Sequence, residues 1–121
     1  MSGKTWTYNV ICTKVTDGDT IVVENFDMGM GIYLDKVSCR LFGLNTPESR
    51  TKNLAEKKRG LEAKMIVKNL IEGKMIKIET IEREKFGRWL VRVWIGNLCV
   101  NDFLLKEKLA LPYFGIGKKP I

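Results

Sequence analysis

A single helical segment divides this chain, and almost everything on either side of it reads as short extended runs. From about Leu54 to Ile71 the sequence is dense in Ala, Glu, Lys, Leu and Met, which favour helix, and Ala63, Ile66, Val67 and Leu70 form an apolar stripe. Gly73 is placed to stop it. Lys57, Lys58, Lys64 and Lys68 fall on the other face, either as a solvated surface or as a binding one. Ahead of the helix lie three strand-like runs: Trp6 to Lys14, with Trp6, Tyr8, Val10 and Cys12 on one period-2 face, then Thr20 to Val23, then Lys36 to Leu44. Asp17-Gly18-Asp19 turns the first into the second. Glu24 to Asp35, rich in Gly, Asp and Met, reads as a loop with Gly29 to Gly31 at its tip. Asn45-Thr46-Pro47 ends the third run, because a proline pushes the residue before it out of the helical region.

After the helix, Met75 to Ile81 reads as a fourth strand, with Met75, Ile76, Ile78 and Ile81 as its apolar residues. Glu82 to Gly87 is charged and turn-like, and Trp89 to Ile95 is a fifth strand ending at Gly96-Asn97. A short helix over Asn101 to Lys108 follows, and Leu109 to Phe114 returns to the edge of the sheet. The predicted fold is therefore mainly β with helices: a five-stranded Greek-key barrel of the OB type, with a helix after the third strand and a short one after the fifth. Closing the sheet on itself removes its edges, which suits a chain with little core. One domain over residues 1–121, with a tail at about 115–121, is expected at this length. An α+β roll or split barrel is the alternative architecture.

The net charge of +7 is unevenly spread. Residues 1–49 carry four basic and six acidic side chains, net −2, whereas 50–88 carry twelve basic and six acidic, net +6. A positive surface beside a carboxylate-bearing loop attracts a polyanion and leaves room for a divalent cation, although composition alone fits a non-enzymatic nucleic-acid binder equally well. No run approaches the roughly 18 apolar residues of a membrane span, and Met1 to Tyr8 lacks the pattern of a signal peptide. No membrane partner, a monomer and a cytoplasmic location are expected, with a secreted mature form as the alternative. Cys12, Cys39 and Cys99 form no CxxC pair and read as small buried hydrophobes in a reducing compartment. The absence of histidine leaves catalysis to carboxylates, arginines, lysines or a hard cation.

Three stations hold residues of that kind: Asp17-Gly18-Asp19-Thr20, Arg40 through Glu48, and Lys85-Phe86-Gly87-Arg88. Asp19 offers a carboxylate oxygen, Asn45 an amide oxygen and Thr46 its backbone carbonyl, a donor set suited to Ca²⁺. Arg40 and Arg88 present guanidinium forks matched to phosphate, and Glu48 lies near enough in sequence to Asn45 to orient or deprotonate a water. Each residue also has an ordinary reading, Asp19 as a turn cap and Arg40, Glu48 and Arg88 as surface ion pairs. Lys85 could contact substrate, and Tyr113 or Phe114 could stack on a base or simply fill the core.

In their order and spacing these stations resemble the staphylococcal-nuclease-like (thermonuclease) family, through Val15-Thr16-Asp17-Gly18-Asp19-Thr20, Arg40-Leu41-Phe42-Gly43-Leu44-Asn45-Thr46-Pro47-Glu48 and Lys85-Phe86-Gly87-Arg88. The resemblance runs from about Tyr8 to Phe114. It implies an OB-fold, Ca²⁺-dependent nuclease that cleaves DNA and RNA with little sequence preference, leaving 3′-phosphate and 5′-hydroxyl ends. It also implies Asp19 as a metal ligand, Arg40 and Arg88 as phosphate and transition-state contacts, and Glu48 as the residue that activates water. Single-stranded or locally opened DNA and RNA are the expected substrates. The rival readings are a catalytically weak or inactive OB-type nucleic-acid-binding module and a protein-binding adaptor. Where well-known members carry a second metal-binding aspartate this chain has Asn45, and after Phe114 only residues 115–121 follow, so stability is expected to lean on Phe103, Leu104, Leu109 and Leu111.

An amide in place of a carboxylate keeps an oxygen donor but loses a charge, so cation binding should be weak. Asn45→Asp is expected to lower the Ca²⁺ concentration needed for half-maximal cleavage. An unchanged requirement would remove Asn45 from the ligand set.

Overall fold

The first strand is long enough to serve two neighbours. In the computed structural model, which describes residues 6–24, 26–29, 32–34, 36–47, 52–84 and 87–113, β1 (Trp6–Asp17) gives Trp6–Ile11 to β7 (Met75–Arg83) and Ile11–Asp17 to β2 (Thr20–Glu24), both antiparallel. Register shifts fall between Cys12 and Lys14 and between Val15 and Asp17, and the first lets Cys12 and Val15 both face inward although they are three positions apart. β2 pairs antiparallel with β5 (Val37–Leu41), and β7 with β8 (Trp89–Ile95). The ring closes where β5 and β8 pair in parallel, Cys39 against Trp89 and Arg40 against Leu90. This is the expected closed five-strand barrel with two helices.

Short elements fill in the connections. β3 (Phe26–Gly29) and β4 (Ile32–Leu34) pair with each other inside the stretch expected to be a loop, so the correction is a small antiparallel hairpin with Phe26 opposite Leu34 and Asp27 opposite Tyr33. The third sequence run splits at Phe42-Gly43, where Gly43 takes φ 83, and resumes as β6 (Leu44–Asn45). β9 (Leu98–Cys99) folds back on β8, and β10 (Leu111–Pro112) pairs with β6.

Helix α1 (Leu54–Ile71) has the predicted bounds, opened by Asn53, whose side-chain oxygen accepts from the Glu56 N–H at 3.1 Å, and followed by Gly73 at φ 79. Its buried face is Gly60, Ala63, Val67 and Ile71, at spacings of three and four, while Ile66 and Leu70 are only half-buried. Small residues at 60 and 63 let the helix lie close to β1. Inside the barrel, Val10, Ile21, Val23, Leu41, Ile76, Ile78, Val91 and Val93 are closed to solvent. Met75, one of the apolar residues of the β7 run, is 65% exposed, because Ile76, Ile78 and Thr80 set the inward phase of that strand and Met75 falls outside it. All three cysteines are free and buried, and burial pushes the Cys12 thiol to about 11 and that of Cys39 to about 12, which leaves both protonated and unreactive near neutrality.

Helix α2 (Val100–Lys106) starts one residue before the predicted Asn101 and ends in a left-handed turn. The Leu109 N–H donates to the Leu104 carbonyl at 2.9 Å and the Lys108 N–H to that of Leu105 at 3.2 Å, the bonding pattern that normally places glycine where Lys108 sits at φ 59. Leu104 anchors this turn in the core, Phe103 and Leu109 are half-buried, and Leu111, expected to contribute, is 42% exposed. A side chain in left-handed backbone costs about 1 kcal/mol. Lys108→Gly is therefore expected to raise the urea midpoint by the equivalent of somewhat less than that, since glycine also loosens the unfolded chain. A lowered midpoint would show the turn to be unstrained.

Candidate functional site

Strand pairing gathers the three sequence stations. Thr20 lies opposite Arg40 across β2 and β5, so Asp19, the last turn residue before β2, reaches the outward side of β5. The parallel pairing of Arg40 with Leu90 then brings Arg88, which immediately precedes β8, to the same place. Asn45 and Thr46 arrive through β6, just past the Gly43 turn. Asp17, Asp19, Thr20, Arg40, Asn45, Thr46, Pro47 and Arg88 line one small pocket of about 130 Å³.

Asp19 and Arg40 are both buried, and they hold the pocket together. The Asp19 carboxylate lies 3.6 Å from Arg40 Nη2, accepts from the Thr46 backbone N–H at 3.2 Å and from the Thr20 hydroxyl at 3.1 Å. Arg40 Nη2 also donates to Asn45 Oδ1 at 2.9 Å and to the Leu44 carbonyl at 3.4 Å. Burying a guanidinium is tolerable only with such partners, and here one carboxylate and two neutral oxygens surround one nitrogen of the fork. The Tyr113 ring lies 5.4 Å from the Arg40 guanidinium carbon, held there by the pairing of Leu111 with Asn45 and by the Tyr113 N–H donating to the Gly43 carbonyl at 3.0 Å. Arg88, 42% exposed at its side chain, is oriented by Glu84, whose carboxylate lies 3.1 Å from its Nε.

Glu48, Lys85 and Phe114 lie outside the described residues. Among the described residues no three carboxylates or thiols converge as metal ligands. The pocket nevertheless presents only oxygen donors apart from its arginines: two aspartates, the Thr20 hydroxyl and the amide of Asn45. Thr46 Oγ1 is buried with no hydrogen-bond partner among the described residues. A hard cation fits such a donor set, which Asp19, Asn45 and Thr46 would hold.

Two contributors escaped the sequence reading. Glu84 stands four residues before Arg88, a spacing that could have suggested the pair. Asn101, buried at the start of α2, accepts from the Val93 N–H at 2.9 Å and donates to the carbonyls of Phe42 and Val91 at 3.0 and 3.1 Å. It ties β8 to the turn between Arg40 and Asn45, and no local pattern announces it. A larger cleft of about 450 Å³ shares Pro47 with the pocket, between Glu56, Arg59 and Glu62 of α1 and residues 108–111. Its two acids and two bases balance in charge, and it lacks the buried ionic cluster of the smaller pocket.

The family model for staphylococcal nuclease homologues matches residues 38–120. The thermonuclease of Staphylococcus hyicus is 34% identical over 110 residues, covering 89% of this chain and 60% of that protein. For the thermonuclease of Staphylococcus intermedius the identity is 30% over 103 residues, 84% of this chain and 57% of the other. The endonuclease YncB of Bacillus subtilis is 32% identical over 106 residues, 84% and 46%. The chain thus spans about half the length of these curated relatives.

Gly18 sets how closely the first station approaches the second. A Cβ there would stand 3.0 Å from Thr46 Cγ2 and 3.1 Å from the Ala63 Cβ, with a rigid helix behind it. Gly18→Ala is expected to cost about 1–2 kcal/mol through overpacking, measured by urea unfolding. Wild-type stability in this variant would mean that Thr46 yields freely.

Proposed function

The chain belongs to the staphylococcal nuclease homologue family, and from that premise we propose that it is a divalent-cation-dependent nuclease hydrolysing the phosphodiester backbone of DNA and RNA. The observation that carries this reading is the convergence of Asp19, Asn45 and Thr46 with the guanidinium groups of Arg40 and Arg88 on one pocket. Oxygen donors and planar cationic forks gathered in one pocket suit a phosphate flanked by a cation.

Bound there, Ca²⁺ would supply charge stabilisation at a nonbridging phosphate oxygen. The residues do the rest. A guanidinium offers N–H donors and no acceptor, so Arg40 and Arg88 serve as hydrogen-bond donors and not as bases. Their bonds to the phosphoryl oxygens strengthen as negative charge accumulates in the pentacoordinate transition state. Tyr113, stacked on Arg40, and Glu84, paired with Arg88, limit the rotations of the two forks before substrate arrives. Glu48 is assigned the water proton on its position three residues beyond Asn45. Water adds to phosphorus as its proton passes to Glu48, the P–O5′ bond breaks, and the departing O5′, hydrogen-bonded by Arg88, takes up a proton from solvent, giving 3′-phosphate and 5′-hydroxyl ends.

Recognition through a cation and two arginines favours backbone over sequence, and splayed single strands over tight duplex, in either DNA or RNA. Lys85 and Phe114 are assigned to substrate contact on sequence alone, and Tyr113, half-buried beside Arg40, is assigned to the same role. A monomer acting in the cytoplasm completes the proposal. One observation favours the rival binding module: Asn45 stands where a carboxylate would draw the cation more strongly, and its oxygen is already engaged by Arg40.

Cleavage of labelled single-stranded DNA with Ca²⁺, with and without EDTA, separates the two. Chelator-sensitive products are expected, and Arg88→Ala or Glu48→Ser should slow cutting at least about 100-fold. Retention of the strand without product, whatever the metal, would leave only a binding domain.

A further inference from the structure

The pocket opens on the outer surface of the barrel, and one strand continues from it. On β8 the inward side chains are Val91 and Val93, both fully buried, so Leu90, Arg92 and Trp94 point outward, on the same side as Arg40 of the neighbouring β5. From Arg88 at the pocket to Trp94 the strand advances about 20 Å at ~3.3 Å per residue. Register places Lys77 of β7 directly beside Trp94 and Glu79 beside Arg92, and the Lys77 ammonium sits 5.8 Å from the Trp94 ring centroid. Lys77 and Arg92 are exposed, and Trp94 keeps part of its surface in solvent. Beyond the Glu84–Arg88 pair, the outward positions of this ribbon carry Lys77 and Arg92 interleaved with Glu79 and Glu82, with an indole at its far end.

We propose that the outer face of β7 and β8 is a second contact surface for single-stranded nucleic acid, with Trp94 as a stacking platform for a base and Arg92 and Lys77 as backbone contacts. A strand whose scissile phosphate occupies the pocket runs along β8 and ends its contact on Trp94. The inference deepens the nuclease reading and rests on it for the strand's passage through the pocket. The occupant is a polynucleotide because Lys77 and Arg92 stand beside an aromatic ring, a pairing that meets phosphates and a base together, and because the ribbon is continuous with the guanidinium cluster.

The test measures binding without cleavage. Fluorescence anisotropy in EDTA compares oligothymidylates of about four and about sixteen nucleotides, the range spanned by single OB-fold sites. Trp94→Leu and the double variant Lys77→Gln/Arg92→Gln, the latter altering only exposed side chains, are each expected to weaken the longer oligomer about tenfold and leave the shorter unchanged. Trp94→Phe should restore most of the loss. Wild-type affinity for the longer oligomer in both variants, equal losses at both lengths, or no binding by the wild type would overturn the surface. Ca²⁺-supported cleavage by the same proteins keeps the two readings apart. A wild type that never cuts but shows the length-dependent loss retires the nuclease and keeps the surface, and cutting without that loss does the reverse.

Discussion

The parallel contact between β5 and β8 is what the rest of this structure depends on. It involves only three residue pairs, yet it turns an open sheet into a ring and sets Arg40 one strand away from the approach of Arg88. Two arginines separated by nearly fifty positions in sequence thereby share one pocket without either lying on a long loop. Phe42 extends the contact by donating its N–H to the Val91 carbonyl at 2.8 Å, and Asn101 locks the same junction from the other side. Site geometry and barrel closure are one event, so a change that loosens the junction disperses the phosphate-binding groups as well.

Within that frame the buried ions are arranged frugally. Asp19 and Arg40 would each be prohibitive to bury alone, and pairing them leaves the pocket close to neutral before any ligand arrives. Asn45 is chemically apt to this arrangement: its amide oxygen satisfies Arg40 without adding charge. A carboxylate in its place would hold the guanidinium more tightly and raise the negative potential on the cation's side at once. The choice of residue at this position therefore adjusts two opposed demands with a single atom's difference.

Much of the architecture was legible in the sequence because it is written in local periodicity. Helix α1 was bounded to the residue, since its propensity, its Asn53 start and its Gly73 end all agree. Phase depends more on tertiary context: Met75, Ile76, Ile78 and Ile81 are all apolar, yet the inward face of β7 runs through Ile76, Ile78 and Thr80, and the bulges of β1 bring Cys12 and Val15 to one side. The hairpin of β3 and β4 was missed because glycine and aspartate mask its alternation. For the candidate site, motif spacing points to Asp19, Arg40, Asn45, Thr46 and Arg88, and strand order is what brings them to line one pocket. Glu84 and Asn101 act through other residues, and that kind of role becomes visible only in coordinates.

The divided pairing of β1 carries a consequence for how the molecule opens. Because Ile11 belongs to both ladders and the Cys12 amide bonds to the Lys74 carbonyl, neither β2 nor β7 can peel away without exposing the centre of this strand. Partial unfolding that spares one half of the sheet is thereby disfavoured, and slow exchange of the amides around Ile11 and Cys12, tied to opening of the whole barrel, is the expected result.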